Sequence, residues 1–522
     1  MVFFVSLVPY FIYLFLKTTK NLQMLQQNRY NRGNKYLKWV KSHLKKNFLN
    51  WDLFGFLLLF LIRRPFFELL FFFYMLALIA LSFYEYKRRV TKLPLKYTGR
   101  ILRLLVTLFV LYLTPFLGLL IDETLCFILF VFMLYLNAFV VVLANSLNFP
   151  IEKMINYYFK MKSLKRLKSF KNLDVIGVTG SYGKTSSKNI LYDVLSVKFN
   201  PLKTPKNYNT PFGLMITIND YLDKFHDYFI AEMGACKKNE IKELCDLVHP
   251  KYGILTKIGM AHLETFGSQE TIIKTKFELI ESLPKEGLGV LNADDENQVN
   301  YALKNTCPIL WIGIDNKEKA DIYADEIQLS SEGTTFTCHF KKEKETLVIQ
   351  TRLLGRANIY NLLAAIALGK HLGLTQEQLE LGVKKVKPIE HRLNMKKYYD
   401  MVLIDDAYNA NIEGAKMALD VLNLSKGKKI VISSGIIELG ALSYETNKEL
   451  GKYMVGRVDV AILIGEKQTK PIYEGLIEKK FKKENLYVVP TIQEGLNLLN
   501  KIKEKETYIL LQSDLPDIFN ES

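Results

Sequence analysis

Val-Ile-Gly-Val-Thr-Gly-Ser-Tyr-Gly-Lys-Thr-Ser-Ser-Lys, residues 175–188, is a β-branched run that breaks into a glycine turn and ends in Lys-Thr. This order predicts a strand, a phosphate-cradling loop and the start of a helix. Gly180, Ser181 and Gly183 would let backbone N–H groups approach phosphate oxygens. Lys184 would meet the outer phosphates, the Thr185 hydroxyl can hold Mg²⁺, and Ser186 continues the same contact surface. The common phosphate loop carries a glycine where this chain has Val178. The motif is therefore Thr-Gly-x-x-Gly-Lys-Thr, a particular subtype, and ATP is the ligand it predicts. A glycine turn that only opened a helix would have no need of the Lys-Thr pair.

Downstream, short β-branched runs (Val175–Thr179, Tyr228–Glu232, Tyr252–Lys257, Gly289–Asn292) alternate with amphipathic segments. That alternation predicts an α/β fold whose mostly parallel sheet carries helices on its faces. Active groups then belong in loops at the carboxyl ends of the strands.

Upstream the chain changes character. Of 522 residues, 70 are Lys or Arg and 53 Asp or Glu; residues 1–171 hold 25 of the former and 6 of the latter, about +19, leaving about −2 for the rest. Basic runs of this kind suit a solvated or nucleic-acid-binding face. Here they alternate with apolar stretches at Val2–Leu16, 53–83, Leu104–Ile121 and Leu125–Leu147, which points to a membrane and away from nucleic acid. The last two, joined by Asp122-Glu123-Thr124, read as a helical hairpin. Arg63, Arg64, Pro65 and Glu68 interrupt 53–83, so that stretch reads as re-entrant or interfacial. Basic loops 17–46, 87–103 and 153–171 place the rest in the cytosol, giving a multi-pass protein of the cytoplasmic membrane. No signal-peptide pattern precedes these stretches. Five scattered cysteines show neither paired nor metal-type spacing and fit a reducing compartment.

Further motifs accumulate after the phosphate loop: Thr-Pro-Lys-Asn-Tyr-Asn-Thr-Pro-Phe-Gly (204–213), Ala-Glu-Met-Gly-Ala (231–235), Ala-His-Leu-Glu-Thr-Phe-Gly-Ser (261–268), Lys276 in a helix-like segment, Gly-Arg-Ala-Asn-Ile-Tyr-Asn (355–361), Glu-His-Arg-Leu (390–393) and Asp-Asp-Ala-Tyr-Asn-Ala-Asn (405–411). Together, in this order and spacing, they resemble the Mur ligase family, and within it the D-alanyl-D-alanine-adding (MurF-type) branch of peptidoglycan synthesis. The resemblance runs from about residue 172 to about 450. It implies a central ATPase domain over 172–387 and a smaller Rossmann-like domain over 388–522; the apolar and basic patterning before it gives membrane segments over 1–150 and a basic linker over 151–171.

The same resemblance implies roles. Lys184 and Thr185 would grip ATP and one Mg²⁺, with Glu232 as that ion's carboxylate ligand; His262 would serve a second Mg²⁺. Lys276 matches the lysine that CO₂ carbamylates, which converts a cation into an oxygen donor suited to a hard metal. Asn358 matches an adenine-contacting asparagine. Arg392 and Asp406 match groups brought to the phosphates by the last domain, and Asn207 and Asn209 fall where the peptide substrate is met. The implied reaction is ATP-dependent amide formation through an acyl phosphate. Read alone, several of these residues have structural alternatives: Glu232 as a capping carboxylate, Lys276 as a helix-surface cation, Arg392 as half of a surface ion pair.

The chain also departs from the family. Apolar segments stand where a UDP-sugar-recognising domain is usual, so a lipid-linked or polymer-linked carboxylate competes with a small nucleotide-linked one. Lys257 replaces a frequent asparagine, and Leu511-Gln512-Ser513-Asp514-Leu515 replaces a Lys-x-Ser-Arg-like loop. Ile437-Glu438-Leu439-Gly440 retains the MurF-type Glu-Leu-Gly. A transport ATPase is the reading from another class; it needs no counterpart of Glu232, His262 and Lys276.

Overall fold

The computed structural model describes residues 2–30, 35–43, 66–88, 93–305, 307–330, 332–398, 401–407, 411–437 and 439–512. Arg63, Arg64 and Pro65, residues 408–410 of the Asp-Asp-Ala-Tyr motif, Glu438, and Ser513 to Leu515 lie outside the described residues. The chain forms two compact units, one within Met1–Tyr158 and one within Phe159–Leu515.

The first unit is helical: Val2–Gln27, Lys35–Ser42, Phe66–Arg88, Gly99–Leu113 with a 3₁₀ extension Thr114–Leu120, Glu123–Tyr135 and Asn137–Leu147. Its apolar segments pack on one another. Tyr10, Phe71, Phe127 and Phe130 meet edge to face or stacked, and the Tyr10 hydroxyl donates to the Phe130 carbonyl at 2.7 Å.

The lengths and breaks of these helices correct the multi-pass expectation. Among the described residues, one continuous helical stretch, Gly99–Leu120 (22 residues), is long and apolar enough to cross a bilayer. The expected second arm of the hairpin is instead two pieces, Leu125–Tyr135 and Asn137–Leu147, bent by 83°. Leu69–Glu85 is a shorter apolar helix. The bend has a chemical cause. Leu136 leaves helical geometry (φ −86°, ψ 16°), and the buried Asn137 amide turns to neighbouring helices. It accepts from Asn21 Nδ2 at 2.6 Å and donates to Thr18 Oγ1 at 2.8 Å and Tyr112 OH at 2.7 Å. Among the described residues this does not give the multi-pass membrane protein that the sequence led us to expect.

The second unit contains two sheets. The first has nine strands in the order β2-β3-β1-β4-β5-β6-β7-β8-β9, with β1 Asp174–Thr179, β2 Pro201–Lys203, β3 Tyr228–Glu232, β4 Tyr252–Leu255, β5 Leu288–Asn292, β6 Ile309–Gly313, β7 Ile322–Leu329, β8 Thr334–Phe340 and β9 Glu345–Thr351. Pairing is parallel from β2 to β7 and antiparallel from β7 to β9. The near-continuous apolar runs in β1 and β3–β5 follow from burial on both faces. One face packs Ile190, Leu191 and Val194 of helix Lys184–Leu195 against Leu362, Ala365 and Ile366 of helix Arg356–His371. The other face packs helices Glu240–Val248 and Gln269–Glu281.

The second sheet has the order β10-β11-β15-β12-β13-β14: Asn394–Tyr398, Met401–Asp406, Thr507–Gln512, Lys428–Ser433, Val460–Ile464 and Leu486–Val489. It is parallel except at β10–β11. The large, mostly parallel sheet is what the alternation predicts, and the second sheet is the smaller domain that the resemblance implies. Residues expected to form a linker are helical to Ser169, and from Phe159 onward they pack on the second unit: Phe159, Leu164 and Leu167 lie against its core.

Candidate active site

The chain reverses direction across the first sheet between β3–β1 and β1–β4, so the carboxyl ends of β1, β3 and β4 meet at a switch point. The end of β1 is fastened there: Thr179 Oγ1 donates to the Met233 carbonyl and Met233 N–H to the Val178 carbonyl, both at 2.8 Å. Gly180 follows with φ +148°, and a Cβ on it would lie 1.9 Å from Thr256 Oγ1. Only glycine lets the loop pass the end of β4. Ser181 N–H donates to the Lys257 carbonyl at 2.9 Å, and Ser181 Oγ to the Gly259 carbonyl at 2.8 Å. Gly183, at φ +84°, precedes helix Lys184–Leu195, whose first turn holds Thr185 and buried Ser186. A glycine loop that opens a helix presents N–H groups and the positive end of the helix dipole to an anion.

Lys184 Nζ curls over this loop, donating to the carbonyls of Gly180 (2.8 Å) and Ser181 (3.1 Å). Burial lowers its pKa to about 8; Glu232 opposes the shift and Arg392 adds to it.

Glu232 ends β3 and is 1% exposed. Its Oε1 accepts from Thr185 Oγ1 at 3.1 Å and from Asn209 Nδ2 at 3.0 Å, while Oε2 lies 2.9 Å from Lys188 Nζ in an ion pair. Burial opposes ionisation, but Lys188 and Lys184 outweigh it and hold the carboxyl below its ordinary pKa. The donor pair fits magnesium: metal–oxygen bonds of about 2.0–2.1 Å in an octahedron put neighbouring oxygens about 3 Å apart. Thr185 Oγ1 and Glu232 Oε1 already have that separation.

Lys276 lies mid-way along helix Gln269–Glu281 and is 2% exposed. Among the described residues it makes no hydrogen bond or ion pair, and its ammonium is 5.8 Å from the Phe266 ring. Burial, then repulsion from Lys184, lowers its pKa to about 7. A buried amine that sheds its proton near neutrality has the chemistry that CO₂ requires. His262 caps the short helix Leu263–Phe266 in left-handed geometry (φ +58°), its carbonyl accepting from the N–H groups of Thr265 and Phe266. Among the described residues no three His, Cys, Asp or Glu side chains converge as a ready-made metal cage. The Thr185–Glu232 pair has the oxygen spacing that such an ion takes.

The second sheet contributes at its edge. Arg392 Nη2 donates to Thr185 Oγ1 at 3.4 Å. Asp406, at the end of β11, accepts the Leu393 N–H at 3.2 Å; burial raises its pKa to about 7 against the pull of that bond and of Arg392. Lys257, the departure noted in the sequence, pairs with Glu413 at 2.9 Å.

Asn358 sits in the first turn of helix Arg356–His371, donating to the Leu354 carbonyl and accepting from Asn361 Nδ2. No bond among the described residues ties it directly to the Thr185 cluster. Asn361 is the nearer residue: its Oδ1 is 3.1 Å from where a Gly183 Cβ would stand. In the 204–213 loop, Asn209 reaches Glu232 and its carbonyl accepts the Gly234 N–H at 2.8 Å. Asn207 is exposed, and its carbonyl accepts the Asn209 N–H at 2.8 Å.

Thus Lys184, Thr185, Glu232, Asn209 and Arg392 are brought together. Lys276 is coupled to them through charge. Sequence reasoning missed Lys188 and Asn361. Both carry a signal: Lys188 is three residues after Thr185 and Asn361 three after Asn358, spacings that share a helix face.

The Mur ligase middle domain matches residues 178–369, and the Mur ligase glutamate ligase domain matches residues 391–514. The UDP-N-acetylmuramoyl-tripeptide--D-alanyl-D-alanine ligase of Bacillus subtilis is 32% identical over 334 residues, 63% of this chain and 70% of that protein. The Escherichia coli protein of the same name is 32% identical over 279 residues, 53% of this chain and 61% of its own length, so the match spans less than two thirds of that relative. MurF from Acinetobacter baumannii superposes with a TM-score of 0.62 at 26% identity, over 69% of this chain and 77% of that one. MurF from Thermotoga maritima, solved in complex with ADP, gives 0.61 at 25% identity, over 70% and 82%. The motifs, the two-sheet architecture and these similarities agree: the chain belongs to the Mur ligase family.

Proposed function

We propose that this protein is an ATP-dependent ligase that activates a peptide carboxylate and joins it to D-alanyl-D-alanine or a closely similar amine in cell-wall precursor synthesis. The observation that carries the reading is the 3.1 Å pair of Thr185 Oγ1 and Glu232 Oε1 under a glycine loop, with Lys184 and Arg392 at the same place. The names of the relatives support the substrate pair, a UDP-linked muramyl tripeptide and D-alanyl-D-alanine.

In this reading the terminal phosphoryl group of ATP passes to the carboxylate, giving an acyl phosphate. The amine then attacks the carbonyl, the tetrahedral centre expels phosphate, and an amide remains. Such chemistry asks for alignment and charge neutralisation more than for a protein nucleophile. Lys184 and Arg392 would meet the outer phosphate oxygens. Asn358 would face the adenine, Asp406 would support the phosphate end with Arg392, and Asn207 and Asn209 would meet the peptide. Thr185 and Glu232 would hold one Mg²⁺, with His262 and a carbamylated Lys276 holding a second; the ions would neutralise phosphate charge.

The domain limits of this reading are a ligase core over 172–387 and a closing domain over 388–522. Residues before 178 lie outside both family matches. That favours one second reading, a carboxylate carried on a lipid or polymer instead of UDP.

The test is phosphate release and product mass from purified protein with ATP, Mg²⁺, bicarbonate, D-alanyl-D-alanine and the UDP-muramyl tripeptide. Pentapeptide is the expected product, and Lys184→Ala or Glu232→Ala should lower turnover by at least roughly a hundredfold. Turnover only on a carboxylate lacking UDP would select the second reading. Phosphate release that needs neither carboxylate nor amine would overturn both.

A further inference from the structure

Lys188 has no part in the reading above, yet it is a buried cation aimed at the proposed metal carboxylate. It is 1% exposed, sits one helical turn beyond Lys184 and makes two contacts. Its Nζ lies 2.9 Å from Glu232 Oε2 and donates to the Lys206 carbonyl at 2.7 Å. The two oxygens of Glu232 are therefore divided. Oε2 is taken by Lys188, whereas Oε1 faces Thr185 Oγ1 and Asn209 Nδ2. Lys206 and Asn209 both belong to the 204–213 loop. That loop seats tightly on the end of β3, because a Cβ on Gly234 would fall 2.9 Å from Asn209 Cγ.

We propose that Lys188 is a positioning residue that reserves Glu232 Oε1 for one-point ligation and so sets selectivity for Mg²⁺ over Ca²⁺, while tying the 204–213 loop to the metal carboxylate. The inference rests on the magnesium–nucleotide reading of this site. Mg²⁺ accepts a near-ideal octahedron with one oxygen per carboxylate, whereas Ca²⁺ takes 6–8 oxygens and readily chelates both oxygens of one carboxylate. With an ammonium on Oε2, bidentate chelation is blocked. A calcium ion loses a donor there, and a magnesium ion loses nothing. Removing the ammonium frees Oε2 and unfastens the Lys206 carbonyl together.

The experiment measures Mn²⁺ binding to the full-length protein with ADP by electron paramagnetic resonance, then displaces Mn²⁺ with Mg²⁺ and with Ca²⁺. Wild type should bind Mn²⁺ and favour Mg²⁺. Lys188→Met should narrow the Mg²⁺:Ca²⁺ preference by roughly 10- to 100-fold, the usual reach of residues that orient a metal ligand. In Glu232→Gln, Lys188→Met should add no further change, because the carboxylate on which it acts is gone. A simple packing defect would weaken both ions alike and leave their ratio alone. If Lys188→Met does not fold, Lys188→Arg is read the same way: its fork spans both carboxylate oxygens and should weaken Mg²⁺ binding at Oε1. An unchanged ratio in folded Lys188→Met, or unchanged Mg²⁺ binding in Lys188→Arg, overturns the inference. Failure of wild-type protein with ADP to bind Mn²⁺ at all would instead overturn the magnesium–nucleotide reading beneath it.

Discussion

Lys276 and Asp406 show how burial changes the chemistry of a single residue. The Lys276 ammonium is enclosed and held near pKa 7. CO₂ reacts with the neutral amine, and carbamate formation releases a proton, so both steps weaken as pH falls below about 7. Turnover should decline on that limb and shift with added bicarbonate; a flat profile to pH 6 would reject the carbamate. Lys276→Ala should lose activity by about a hundredfold or more and recover part of it with short-chain carboxylic acids. Full activity in the variant would discard the idea. Asp406 has a folded pKa raised to about 7 from 3.8, so the native state binds the extra proton between those values. Stability should therefore fall as pH rises from about 4 to 7 and stay low above it. Asp406→Asn should stabilise the protein at pH 8 by on the order of 1–3 kcal/mol, and not at pH 4. Thermal melts at the two pH values check this. Lys184 and Thr185 were legible in the sequence because the phosphate loop is a local motif. For Lys188 the helix spacing marks only its face; its partner was not legible, since only folding puts Glu232, 44 positions later, within 2.9 Å of it.

Among the elements, the phosphate loop depends on the end of β4 as much as on its own glycines. Thr256 Oγ1 donates to the Thr179 and Tyr182 carbonyls at 3.0 and 2.6 Å and occupies the space beside Gly180. Gly180→Ala should cost at least roughly 1–3 kcal/mol from the forced overlap and abolish nucleotide binding. Urea melts and calorimetric ADP titration measure the two effects; wild-type affinity would show that the loop yields. The strands were readable from sequence because their β-branched runs are buried on both faces. The apolar helices of the first unit were misread as a hairpin of spans. Hydropathy does not distinguish lipid from a neighbouring apolar helix, and the 83° bend at Leu136 depends on Asn137 finding Thr18, Asn21 and Tyr112.

Across the whole molecule, the two units have separate cores, and the second holds every residue of the candidate site. A chain starting at Phe159 should melt cooperatively and bind ADP. Starting at 172 instead removes the Ser163 Oγ partner of Asn219 Nδ2 (2.8 Å) and the Arg166 bond to the Leu222 carbonyl (2.6 Å). It should lose roughly 1–3 kcal/mol relative to the longer piece. Equal denaturant midpoints for the two would show that this helix contributes nothing. By itself, the sequence determined the α/β alternation, the phosphate loop and the ordered motifs, since each is written in neighbouring residues and follows from backbone sterics and hydrophobic periodicity. Only the tertiary structure decided which oxygen of Glu232 pairs with Lys188, that Arg392 reaches Thr185, and that the described helices of the first unit share a core. Those outcomes come from contacts between residues far apart in the chain, where burial and competing partners decide what each side chain does.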